Sequence, residues 1–181
     1  MRNFKMTLCA MTLAAVSTSA LALSPGQGQV TFNGELVTDT CTISTDSQDL
    51  QVPLPTLSTQ TLASEGVTAG TKSFELKVEN CPTSITKVAA HFEAIGSTGV
   101  DNETGNLIND YKGSDPKADK VEVRLYDANQ QQLKIGETST PVAVNQNDAT
   151  ATMTFYGSYY ATGQTTAGKV LATALYTLAY P

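Results

Sequence analysis

Hydrophobic and polar residues alternate along most of this chain, and the alternation has a period of two. Val170, Ala172, Ala174, Tyr176, Leu178 and Tyr180 take every second position near the C-terminus, so an extended strand places all six on one face. The same period runs through Phe74, Leu76 and Val78, then through Val88, Ala90, Phe92 and Ala94. Val121, Val123 and Leu125 continue it, and Ala151, Met153, Phe155, Gly157 and Tyr159 predict a long penultimate strand. Upstream, Val30, Phe32 and Leu36 share one phase with Gly28 and Gly34 and predict a first strand. Leu50 to Leu57 contains Pro53 and Pro55, which have no N–H to give a ladder, so it reads as an edge or irregular segment. The tracts Gly96 to Gly105 and Asn109 to Lys120 are polar and turn-forming, and after the first 22 residues no window sustains a 3.6-residue period. Strands without helices, separated by such turns, predict an all-β sandwich. Its last strand stays apolar up to the penultimate residue, which leads us to expect something that holds it.

Length and charge narrow the picture. A chain of 181 residues suits one domain with a real core. Its start is set apart: Arg2 and Lys5 precede a mostly apolar run from Thr7 to Val16, and Ala20-Leu21-Ala22 has the small-x-small cleavage pattern, so residues 1–22 read as a secretory signal peptide. That run is shorter than the roughly 20 residues a bilayer requires, and no later run anchors the chain in a membrane. Without Arg2 and Lys5, nine basic residues face seventeen acidic ones, a net charge of −8 that argues against nucleic acid. Cys9 leaves with the signal. Cys41 and Cys81 then remain, and in an oxidising compartment they most simply form one disulfide, the alternatives being two free thiols or half of a metal site.

Little here builds a catalyst. His91 is the single histidine and falls on the polar phase of its strand, and no cysteine is left as a nucleophile, so neither a triad nor a zinc-hydrolase site assembles in the usual way. Asp101-Asn102-Glu103-Thr104-Gly105 resembles a calcium loop only superficially, because its glycine comes too early and no glutamate follows at the required distance. The expectation is no enzyme, no cofactor and no metal.

Several segments together resemble a known family. Gly28-Gln29-Val30-Thr31-Phe32-Asn33-Gly34-Glu35-Leu36-Val37 precedes Cys41-Thr42-Ile43, and Val52-Pro53-Leu54-Pro55 lies between the cysteines. Asn80-Cys81-Pro82, Val123-Arg124-Leu125-Tyr126-Asp127 and Tyr159-Tyr160-Ala161-Thr162-Gly163 follow. Over nearly its whole length after the signal, the chain resembles the type 1 fimbrial pilins of the chaperone–usher class. The most specific match is terminal, a glycine fourteen residues from the end and a penultimate tyrosine, here Gly168 and Tyr180, with the less usual Pro181 last.

The resemblance implies an incomplete immunoglobulin-like β-sandwich, completed by a strand donated from a neighbouring subunit. It implies a signal peptide over 1–22, a donor-strand extension over 23–36 and a pilin domain over 37–181. Gly28, Val30, Phe32, Gly34 and Leu36 would form the donor strand. Gly168, Val170, Ala172, Ala174, Tyr176, Leu178, Tyr180 and the carboxylate of Pro181 would form the strand that borders the groove and meets a periplasmic chaperone. The partners implied are identical or homologous subunits in a homopolymer, that chaperone, and an outer-membrane usher. The place implied is an extracellular fimbrium on the bacterial surface, reached through the periplasm. The alternatives are a minor subunit that links or terminates the fibre, and a secreted β-sandwich binding module. A sugar-binding tip adhesin would need a lectin domain ahead of the pilin domain, for which the 159 residues after Ala22 leave no room.

Overall fold

The computed structural model describes residues 28–36, 39–95 and 99–181. The expected signal peptide, residues 23–27 of the extension, and residues 96–98 of the first turn tract lie outside the described residues. The chain divides into two units, Met1–Leu36 and Val37–Pro181. In the first, Gly28 to Leu36 forms neither helix nor strand, with Val30 76%, Phe32 92% and Leu36 99% exposed. The predicted first strand is therefore absent there. A lone apolar-faced segment gains no ladder hydrogen bonds and buries no face, so its pattern alone does not make it a strand.

The second unit is a sandwich of two antiparallel sheets. Its strands are β1 (Thr42–Ile43), β2 (Thr68–Glu79), β3 (Lys87–Ala94), β4 (Leu107–Ile108), β5 (Val121–Tyr126), β6 (Gln132–Leu133), β7 (Val142–Ala143), β8 (Ala151–Ala161) and β9 (Ala174–Ala179). One sheet runs β1-β2-β8-β5-β4 with β6 on β5, and the other runs β7-β3-β9. One turn of helix, α1 (Thr45–Gln48), and a short 3-10 turn at Thr59–Leu62 complete the elements. Period two explains the core: Leu76, Val78, Met153 and Phe155 face Val88, Ala90 and Phe92 across the sheets, all buried. Phe92 meets Phe155 edge-on at 5.0 Å between ring centroids, the favoured geometry for the ring quadrupoles. A bulge between Ala69 and Lys72 lets β2 bend beside β8; Gly70 sits there at φ +73° under Tyr159 and Leu57, where a side chain has no room. Leu50 to Leu57 is irregular, as the two prolines require.

The bridge between Cys41 and Cys81 is formed. It ties the residue before β1 to the second residue past the end of β2. In the chain-entropy picture, closing a 40-residue separation stabilises the fold by about 4 kcal/mol.

The C-terminal alternation survives, but the ladder covers only part of it. Ala174 to Ala179 pairs with Ala89 to Ala94. Val170 to Thr173 lies outside the strand because its backbone is engaged elsewhere: the Asp110 N–H donates to the Leu171 carbonyl at 2.8 Å, and the Leu171 N–H donates to Asn109 Oδ1 at 3.0 Å. Asn109, buried, also donates through Nδ2 to the carbonyls of Ala118 and Lys169. The polar tract Asn109 to Lys120, read in the sequence as turns, thus holds the entry to the last strand.

Candidate functional site

β9 closes one edge of the three-stranded sheet, and among the described residues nothing pairs with its other side. Beside that edge a groove of about 670 Å³ opens between the two sheets. Val170, Ala172, Ala174 and Tyr176 form one lip, and Ile43 with Leu50 to Leu54 forms the other. The floor is apolar: Phe74, Leu76, Phe92, Leu107, Val123 and Leu125 reach it from both sheets. Side chains that alternation turns inward on β9 are only half-buried, including Ala174, Tyr176, Leu178 and Tyr180, while their neighbours Leu175 and Thr177 are exposed. Such a strand has one hydrogen-bonding edge and one apolar face still free. That is the template an added strand requires.

Two tyrosines pin the lips together at one end. The Tyr176 hydroxyl donates to the Ser47 carbonyl at 2.7 Å, and the Cys41 N–H donates to the Tyr180 hydroxyl at 3.0 Å. Cys41 to Leu54 therefore runs antiparallel to the last strand, with Cys41 at Tyr180, Ser47 at Tyr176, and Leu50 to Leu54 across from Val170 to Ala174. Pro53 and Pro55 have no N–H on their lip, so β9 is the better source of ladder hydrogen bonds.

Gly168 has a local reason to be glycine. A Cβ there would fall on the backbone of Pro116 to Ala118, because Lys169 donates to the Pro116 carbonyl at 2.8 Å and accepts from Ala118 N–H at 3.0 Å. Gly168→Ala should force that paired loop apart and cost about 1 to 3 kcal/mol, the usual range for overpacking. A lowered urea midpoint checks it; an unchanged midpoint would remove this role for the glycine.

Burial raises the phenol pKa of Tyr159 and Tyr176 above the ordinary 10.0. The folded state holds these protons more tightly than the unfolded chain does, so the stabilisation is complete below pH 10 and is lost as pH rises through the raised values. Tyr176→Phe should flatten the alkaline end of the stability profile, checked by melting temperature between pH 8 and 11 alongside phenolate absorbance.

Of the C-terminal residues singled out in the sequence, Val170, Ala172, Ala174 and Tyr176 line the groove, whereas Gly168, Leu178, Tyr180 and Pro181 lie outside its lining. Gly28, Val30, Phe32, Gly34 and Leu36 belong to the other unit and are exposed. His91 is half-buried on β3 and its Nδ1 lies 2.8 Å from Thr138 Oγ1, a strand-to-loop link. Asp101, the would-be calcium ligand, accepts the N–H groups of Glu103 and Thr104 in a tight turn; those bonds, the Thr104 one foremost, hold its carboxyl below the usual range. The sequence reading missed the second lip, Ile43 and Leu50 to Leu54. Leu50, Val52 and Leu54 do alternate, but the two prolines hide the pattern.

The profile of the family described as "Fimbrial protein" matches residues 30–181. The chain belongs to the fimbrial protein family. It is similar to the F17 fimbrial protein of Escherichia coli, 39% identical over 176 residues that cover 93% of this chain and 94% of that protein. It is 36% identical over 173 residues to the major fimbrial subunit SMF-1 of Stenotrophomonas maltophilia, covering 91% of this chain and 99% of that one. Among solved structures, a chaperone–usher pilus subunit aligns with TM-score 0.60 at 20% identity, over 90% of this chain and all of that chain. The P pilus rod subunit PapA aligns with TM-score 0.58 at 14% identity, over 78% and 99%. At those identities the structures speak for the fold, the incomplete immunoglobulin-like sandwich of pilins. This fimbrial subunit is accordingly a structural, non-enzymatic component of a surface pilus, built by association of pilin with pilin.

Proposed function

We propose that this fimbrial subunit polymerises by donating Gly28 to Leu36 of one copy into the groove of the next. The observation that carries the reading is a match within one chain: an apolar groove beside a free strand edge, and an exposed segment whose apolar residues recur at every second or fourth position. Inserted as a strand on β9, Val30, Phe32 and Leu36 face the floor, with Gly28 and Gly34 on the same face. Each buried apolar side chain contributes roughly 1.5 to 3 kcal/mol. Before assembly, a periplasmic chaperone occupies the same groove, pairs with the last strand and binds the Pro181 carboxylate through basic side chains. An outer-membrane usher then exchanges it for the next subunit and exports the fibre to the cell surface, where it supports adhesion.

Co-expression of the full chain with its chaperone and usher tests this. Electrophoresis in detergent should show a ladder that collapses to monomer on boiling, and a protein that remains monomeric under those conditions would overturn the reading. Chaperone recognition has its own test: deleting Leu178 to Pro181 should abolish recovery of the subunit in the periplasm. Because the Tyr180 hydroxyl also accepts the Cys41 N–H, Tyr180→Phe serves as the control. It removes about 1 kcal/mol of hydrogen bonding and keeps the ring, so recovery should persist.

A further inference from the structure

We propose that the exposed apolar rim formed by Ile95, Leu171 and Leu175 is a contact surface for the folded body of a second copy of this chain, the copy whose segment fills the groove. This rests on the donor-strand reading above. Among the described residues of the folded unit, the exposed large apolar side chains are Leu50, on one lip of the groove, and these three, each 51 to 53% exposed. The three gather at one end of the β3–β9 ladder: Leu175 pairs with Glu93, Ile95 lies two residues beyond Glu93, and Leu171 precedes the first paired residue, Ala174. Leu171 and Leu175 also border the groove, but their side chains are exposed where those of Val170, Ala172, Ala174 and Tyr176 are half-buried, so they stand on the opposite phase. An inserted strand cannot cover them, because its own outward residues, Gln29, Thr31, Asn33 and Glu35, are polar and belong to its other face.

The occupant follows from where the donor's chain must leave. Tyr176 and Tyr180 bond to Ser47 and Cys41 and close one end of the groove. Among the described residues, the end between Leu54 and Val170 has no such cross-link. A donor strand that continues into its own folded unit therefore exits at this end, the end that bears the apolar rim. Only four residues lie between Leu36 and Cys41, the bridged residue where the sandwich begins, five steps of chain with a reach of about 17 Å at full extension. The start of the donor's body is held within that distance of the donor's Leu36, and so near the end of the groove that bears Ile95, Leu171 and Leu175. Apolar side chains that are costly to leave exposed to water are placed where a tethered copy arrives at high effective concentration.

The experiment uses assembled fibres of the full chain carrying a photo-reactive phenylalanine analogue at position 171, 175 or 177. Thr177 shares their outward phase but lies about 20 Å from Leu171 along the strand. Illumination followed by boiling in detergent should leave covalent dimers from positions 171 and 175 that map to the folded unit of the second copy, and a loss of that band at 177. If the boiling-sensitive ladder forms but 171 and 175 give no dimer, or all three give the same dimer, the rim contact is wrong and donor-strand assembly stands. If no ladder forms, both fall together.

Discussion

Replacing both Val30 and Phe32 by serine should abolish the heat-sensitive ladder while leaving a folded subunit that its chaperone still binds. These side chains are 76% and 92% exposed and contribute no core to the unit described here, so their loss leaves the sandwich of Val37–Pro181 intact. In the groove of another copy the same change forfeits roughly 3 to 6 kcal/mol of burial, a drop in association of about 10²- to 10⁴-fold. The effect is larger still in kinetics, because a donated strand leaves only when its ladder and its side chains release together. Detergent electrophoresis with and without boiling reads the ladder, and circular dichroism of the purified complex with chaperone reads the fold. A variant that still polymerises would show that these residues are not the donor; a variant that fails to fold would show that they serve the subunit's own core.

The second large effect is expected from the bridge. Cys41→Ser with Cys81→Ser should lower stability by about 4 kcal/mol, a large fraction of the 5 to 15 typical of a domain. Position matters as much as loop length. Cys41 heads the lip that runs to Leu54, and its N–H is the donor to Tyr180, so releasing it from β2 frees the lip to swing away from the last strand. The variant should be degraded more readily unless the groove is filled, and a filled groove should restore it in part. Urea unfolding of the isolated subunit and of its chaperone complex gives both numbers, and equal midpoints for variant and parent would refute the anchoring role.

Much of this was written in one dimension. Alternation at Phe74–Val78, Val88–Ala94, Val121–Leu125 and Ala151–Tyr159 marks four of the five long strands, because burial on one face of a pleated ladder admits apolar residues only at every second position. Two cysteines in a chain whose first residues read as an export signal implied their pairing, and the structure contains it. Asn109 was legible only as a turn residue. Its anchoring role depends on carbonyls at Ala118 and Lys169, the second of them sixty positions away.

The sequence by itself determined the all-β class, the inward face of the last strand and the apolar phase of the N-terminal segment, since each depends on local period and composition. Only the tertiary structure decided that β9 keeps a free edge and that Leu50 to Leu54 forms the facing lip. It also decided that Tyr176 and Tyr180 close one end and that Ile95, Leu171 and Leu175 crowd the other. Those facts depend on which strands neighbour one another and how far apart they lie. Pairing and distance arise from long-range packing, which no local pattern of residues encodes.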